Sequence, residues 1–234
     1  MNKQRIEKVA VIGAGLMGHG IALEIAAAGY HVNLYDINEE ILDTARKNID
    51  YGLKKLVDSG KIKDDQVPKS KLLIKTSNDL GNQLKDVDLV IEAAPENVSI
   101  KQDLFKKFGE LCPSHTILAS NTSSLKPSLY AEHSNRPDKV IVMHYANPPH
   151  LVPLVEIVRG HKTSDATLNI AKAFIEDIGK QVIVVNKEVE GFILNRLQIA
   201  LLRESLWLVE NGCLLYTSDA ADEGLGVDLG GRRI

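Results

Sequence analysis

The chain has 234 residues, 44% hydrophobic and 25% charged, with a formal charge of −3. This is the balance of a soluble globular protein, one large domain or one domain plus a further piece, and it offers no basic field to nucleic acid. Two distant cysteines, Cys112 and Cys213, exclude a disulfide framework or a metal cluster; the polar start Met1 to Lys8 is no signal peptide, and no apolar run reaches the ~20 residues of a membrane span, so a reducing, cytoplasmic setting is expected, or an organelle whose targeting segment is absent from this sequence.

Val9 to Ile12 is a short apolar run that predicts a strand. It ends in Gly13-Ala14-Gly15-Leu16-Met17-Gly18, and apolar residues then continue at helical spacing from Ile21 to Ala28, with Gly29 where a helix would stop. Val32 to Tyr35 predicts a second strand closed by Asp36. The unit is strand, turn, helix, strand, about thirty residues long, the size of one βαβ unit. Glu39 to Val57 predicts a long amphipathic helix with Arg46, Lys47, Lys54 and Lys55 outward. Further strands are expected at Leu72 to Lys75, Val87 to Glu92, Thr116 to Ala119, Val140 to His144, Leu154 to Val158 and Gln181 to Val185. Helices are expected at Val98 to Leu111 and Ser164 to Ile178. Strands alternating with helices predict an α/β fold with a doubly wound, mostly parallel sheet of the Rossmann type. Phe192 to Val209 is apolar around most of its circumference, which predicts a helix that opens a second, all-helical domain and seeks burial; the tail over 212–234 cannot cover it, so either the rest of that domain is missing or another chain covers it. The expected organisation is a cofactor domain over 1–187, the truncated start of the helical domain over 188–211, and a Gly-, Asp- and Ala-rich tail over 212–234.

Gly13, Gly15 and Gly18 form G-x-G-x-x-G between a strand and a helix, with Leu16 and Met17 inside the motif. The first glycine permits the tight turn, the second lets backbone approach a pyrophosphate, and the third lets helix and strand pack closely. Asp36 at the end of the second strand would accept from ribose hydroxyls and repel a 2′-phosphate, which points to NAD rather than NADP. His144 sits at the carboxyl end of a predicted strand, the side where open α/β sheets bind ligands. Glu156 follows twelve residues later, across a loop (147–153) long enough to fold back and bring the two together. A histidine held by a carboxylate is a general base of fixed tautomer, which alcohol oxidation needs. On spacing alone either residue could instead be structural. The polar cluster Ser120 to Ser124 could cap a helix or place hydroxyls near a nicotinamide. Asn195, in so apolar a helix, needs hydrogen-bond partners, a substrate oxygen among the candidates.

Five stretches together resemble the 3-hydroxyacyl-CoA dehydrogenase family: Ile12 to Ala22, Ile91 to Asn97, Ala119 to Leu125, His144 to Glu156, and Gly191 to Leu197. In order, they cover roughly residues 5 to 211. The resemblance implies hydride transfer between NAD and the 3-position of a hydroxyacyl-CoA thioester. His144 then resembles the catalytic base and Glu156 its carboxylate partner. Ser123 and Asn195 resemble the residues that orient the substrate's 3-oxygen, and Glu96 and Lys101 resemble positions near the nicotinamide. Lys54 and Lys55 lie where relatives meet CoA phosphates, or form a solvated helix face. The family also implies a homodimer and no nucleic-acid or membrane partner. The segment 147–156 and the stretch Lys187 to Gln198 lean toward relatives acting on free 3-hydroxy acids, such as L-gulonate 3-dehydrogenase and lambda-crystallin. A non-catalytic NAD-binding fragment or structural protein is a further reading. Cys213 to Glu223 looks like translated vector sequence rather than the family's continuation.

Overall fold

The computed structural model describes residues 5–213. The expectation about Cys213 to Glu223 therefore falls, from residue 214 onward, outside the described residues. Eight strands form one sheet: β1 (Lys8–Ile12), β2 (His31–Tyr35), β3 (Ile74–Ser77), β4 (Leu89–Glu92), β5 (Ile117–Ser120), β6 (Val140–Tyr145), β7 (Leu154–Arg159) and β8 (Gln181–Val185). Their spatial order is β3-β2-β1-β4-β5-β6-β7-β8. All neighbours are parallel except β6 and β7. The doubly wound expectation is met, with a reversal at one edge: the loop after β6 makes a hairpin and not a helical crossover. The chain's direction across the sheet switches between β1 and β4, which opens the crevice where such folds bind ligands.

Seven helices accompany the sheet among the described residues: α1 (Leu16–Ala27), α2 (Glu39–Asp58), α3 (Val67–Leu72), α4 (Leu80–Leu84), α5 (Val98–Leu111), α6 (Asp165–Asp177) and α7 (Leu194–Glu210). Strand β1 explains the layering. Val9 and Val11 pack with Ile21 and Ile25 of α1, Leu42 of α2 and Phe174 of α6 on one face. Ala10 and Ile12 pack with Phe105 and Phe108 of α5 and with Tyr130 on the other. Both faces of a central parallel strand are apolar because helices cover both.

Three sequence expectations need correction. The strand expected at Leu72 to Lys75 begins two residues later, because Leu72 ends α3, a helix started by Pro68 in its first turn. The helix after the glycine motif begins inside the motif, at Leu16. The helix expected from Phe192 begins two residues later, at Leu194; its apolar face lies uncovered, with Leu197 and Leu201 59% and 70% exposed. Apolar periodicity tells which face seeks burial, not whether the described chain supplies a partner for it.

The chain divides into two compact units between Ile193 and Leu194, the second holding α7. Residues 188–193 pack with the first unit, where Phe192 is fully buried against Val142, Val158 and Val185. No helix among the described residues is long and apolar enough to cross a membrane.

Candidate active site

The carboxyl ends of β1, β4, β5 and β6 meet at one edge of the sheet, and the candidate residues of the first unit converge there. The glycine turn closes when Gly13 N–H donates to the Tyr35 carbonyl at 2.8 Å and Ala14 N–H donates to Asp36 Oδ2 at 2.8 Å. Gly13 has φ +102°, and a Cβ there would lie 2.6 Å from the Ala93 carbonyl oxygen. A Cβ on Gly18 would lie 1.7 Å from the Gly13 carbonyl oxygen, so helix and turn touch as only glycine allows. A Cβ on Gly15 would meet nothing within 4 Å, which leaves that face open for a phosphate. Helix α1 has no side-chain cap and no acid in its first turn. By contrast α2 is capped by Asn38 and opens with Glu39 and Glu40. The first N–H groups of α1 are thus left for an anion, and those of α2 are not.

Beside this turn lies a buried charge cluster. Glu92 ends β4 and its side chain is fully buried. Both of its oxygens accept from Lys101 Nζ, at 2.8 and 2.9 Å, and it also accepts from Ala94 N–H and Ser120 Oγ. Lys101 lies 3.4 Å from Glu96 Oε2. Glu96 Oε1 in turn accepts from Thr122 Oγ1 and from the N–H groups of Ser123 and Ser124. Burial opposes ionisation of Glu96, but those hydrogen bonds and the Lys101 charge outweigh it and hold the carboxyl below its usual range. The structure thus brings Ser123, Glu96 and Lys101 together. Lys101, only 1% exposed at its side chain, is committed to the two carboxylates.

His144 and Glu156 are directly paired across β6 and β7. His144 Nδ1–H donates to Glu156 Oε2 at 2.7 Å, and both side chains are buried. Glu156 Oε1 accepts from Ile193 N–H at 2.9 Å. With Nδ1 carrying the proton, Nε2 carries the lone pair a base needs. The segment 191–193 ties this pair to the serine loop: Gly191 N–H donates to the Ser124 carbonyl, and the Phe192 ring sits 5.7 Å from the His144 ring. That tight passage explains φ +46° at Phe192, a conformation bulky residues rarely take, and φ +71° at Gly191. Asn195 lies in α7, within the second unit.

Residues 8–189 match the family model described as the 3-hydroxyacyl-CoA dehydrogenase NAD-binding domain. The chain belongs to the 3-hydroxyacyl-CoA dehydrogenase family. A probable 3-hydroxybutyryl-CoA dehydrogenase of Bacillus subtilis is 39% identical over 218 residues, 93% of this chain and 75% of that protein. A 5-formyl-3-hydroxy-2-methylpyridine 4-carboxylate 5-dehydrogenase of Mesorhizobium japonicum is 35% identical over 210 residues, 89% of this chain and 67% of that one. The solved structure of the (S)-3-hydroxybutyryl-CoA dehydrogenase of Ralstonia eutropha superposes with a TM-score of 0.84 at 33% identity, covering 89% of this chain and 73% of that chain. Coverage drops to 31% of a peroxisomal multifunctional relative, so the chain spans only part of such proteins.

Membership makes this an NAD-dependent oxidoreductase chain, and the glycine turn fits that cofactor. Its open face at Gly15, uncapped helix end and adjacent Asp36 are the features a dinucleotide requires. In a family that binds NAD, Asp36 is also the natural lever on cofactor choice. Asp36→Asn keeps an acceptor for Ala14 N–H but removes the charge facing a 2′-phosphate. The expected result is a preference for NADH over NADPH reduced about tenfold, read from the two dissociation constants. An unchanged ratio would remove Asp36 from the adenosine end of the site.

Two residues at this edge carry no role in the sequence analysis, Glu92 and Phe192, and Asn121 enters it only as part of the polar cluster Ser120 to Ser124. Asn121 Oδ1 accepts from Tyr145 N–H at 2.9 Å and ties the end of β5 to the residue after His144. For Glu92 a signal existed, since a charged residue closing an apolar strand must find a buried partner.

Proposed function

We propose that the chain transfers a hydride between NAD and the 3-position of a 3-hydroxyacyl-CoA thioester, with His144 as the general base. The observation that carries this is the 2.7 Å bond from His144 Nδ1 to buried Glu156, on the sheet edge that also holds the glycine turn. When bound, NAD supplies the hydride acceptor. His144 Nε2 takes the proton of the 3-hydroxyl, and Glu156 stabilises the imidazolium so formed. In the reductive direction protonated His144 returns that proton to the 3-keto oxygen. Ser123 and Asn195 orient the oxygen, and Glu96 holds the Ser123 backbone through the bond at 3.1 Å. Lys101 acts at the cofactor's nicotinamide side through Glu96, to which it lends its charge.

The thioester reading is supported by the names of the Bacillus and Ralstonia relatives. The Mesorhizobium relative is named for a pyridine carboxylate substrate, and the segment 147–156 resembles relatives acting on free 3-hydroxy acids, which favours the second reading, a free 3-hydroxy acid substrate. We read residues 1–187 as the cofactor domain and α7 as the start of a helical substrate domain that forms a homodimer in the family. Cytoplasmic action fits two cysteines that are both free thiols.

Loss of NADH absorbance with acetoacetyl-CoA tests the proposal. Turnover of the thioester at least about tenfold above that of a free 3-keto acid is expected, the margin a few specific contacts to CoA provide. Equal or better turnover of the free acid would overturn the CoA assignment and leave the hydride chemistry standing.

A further inference from the structure

The loop between β6 and β7 separates the two members of the candidate catalytic pair. It leaves β6 just after His144 and Tyr145 and enters β7 two residues before Glu156. Inside the loop, the backbone bonds run from Leu151 N–H and Val152 N–H to the Pro148 carbonyl. The carbonyls of residues 149–152 find their donors elsewhere. Lys180 Nζ donates to Pro149 O at 2.6 Å and Val152 O at 2.9 Å. Lys61 Nζ donates to His150 O at 2.9 Å and Leu151 O at 3.4 Å. Lys61 is exposed and solvated, whereas the side chain of Lys180 is 2% exposed.

The third partner of Lys180 is Glu24 Oε1, at 2.9 Å. An ammonium has three protons, so Pro149, Val152 and Glu24 use all of them. Glu24 belongs to α1, the helix that follows the glycine turn. Its other oxygen, Oε2, is buried with no hydrogen-bond partner, so the carboxylate serves as the counter-charge of Lys180. Gly20, on the same helix, would place a Cβ 2.6 Å from Pro149 Cγ. The loop is therefore seated directly on the cofactor helix and held there by a buried ammonium.

We propose that Lys180 is a positioning residue: with Glu24 it clamps the loop after His144 onto the cofactor helix and so fixes the reach from the base to the nicotinamide side. Its kinetic consequence rests on the reading of His144 as the base. The clamp itself does not.

The test uses the full chain and two variants. Lys180→Met removes the ammonium. Lys180→Met combined with Glu24→Gln removes it without stranding a buried charge, and serves if the single variant folds poorly. Amide hydrogen exchange at Asn147 and at His150 to Val152 is expected to speed by about tenfold or more, with the core of β1 and α1 unchanged. The kcat with NADH and acetoacetyl-CoA is expected to fall by about tenfold to a hundredfold, the effect of a misplacement near 1 Å, with NADH affinity near that of the unmodified chain. Unchanged loop exchange would overturn the clamp. Faster loop exchange with unchanged kcat would overturn the positioning role, as would a loss of NADH affinity matching the loss of kcat. A parent chain inert toward acetoacetyl-CoA would count against the thioester reading alone, and the exchange result would still judge the clamp.

Discussion

Replacing His144 by alanine is expected to lower kcat by about a hundredfold or more while NADH affinity stays nearly unchanged. The reason lies in how little His144 does apart from the proposed proton transfer. Its Nδ1 is bound to Glu156, and its ring packs against Phe192. Neither of these contacts involves the glycine turn or Asp36. On the proposed roles, binding of the cofactor and removal of the proton depend on different strands and should be separable. Glu156→Gln gives the companion result. It keeps an acceptor for Ile193 N–H but turns an amide N–H toward His144 Nδ1, which favours the tautomer protonated at Nε2 and withdraws the charge that stabilises an imidazolium, so kcat should fall about as far as for His144→Ala. Stopped-flow binding of NADH alongside steady-state rates checks both. A His144→Ala enzyme with full turnover would remove the residue from the mechanism. A variant that no longer binds NADH would show that the two functions are not separable.

What could be read beforehand depended on how local each signal was. The glycine turn was legible because strand, turn, helix and Asp36 are consecutive in the chain, and each glycine has its own steric reason. The meeting of His144 and Glu156 was legible because the two flank a loop that can only fold back on itself. The antiparallel pairing of β6 with β7 then puts the two in register. Lys101 was placed near the cofactor by resemblance, yet its geometry had a sequence signal of its own. Lys101, Phe105 and Phe108 share the buried stripe of α5. A lysine on an apolar stripe requires a buried acid, and Glu92 stands nine residues earlier at the end of a strand. That pairing crosses a turn, where neither the period of a helix nor that of a strand carries information. The left-handed Phe192 was invisible for the same reason: its conformation follows from bonds at Gly191 and Ile193 to residues far away in the chain. For α7 the apolar face was legible as a need for a partner, and the described residues leave that face exposed.

The largest effect on stability is expected from Lys101→Met. Glu92 is fully buried among Ile12, Val90, Leu118 and other apolar residues of the second core face, and Lys101 supplies the ammonium that contacts both of its oxygens. Removing one member of such a pair strands the other, which costs about 3–5 kcal/mol. For a chain of this size the unfolding midpoint should fall by about 10 °C. The double change Lys101→Met with Glu92→Gln should recover most of that loss, because the glutamine Oε1 can still accept from Ala94 N–H and its amide N–H can donate to Ser120 Oγ, while it carries no charge. Such non-additivity is the signature of a paired interaction. If the two changes simply added, the carboxylate would be held by its other bonds and Lys101 would be packing alone. Function should follow a different pattern from stability. Glu96 keeps its hydrogen bonds from Thr122, Ser123 and Ser124 when Lys101 is lost, but it loses the neighbouring positive charge. The double variant should therefore regain its melting temperature without regaining full turnover, since the charge beside Glu96 is still missing. Recovery of both together would mean that the cluster serves only to hold the sheet edge in place.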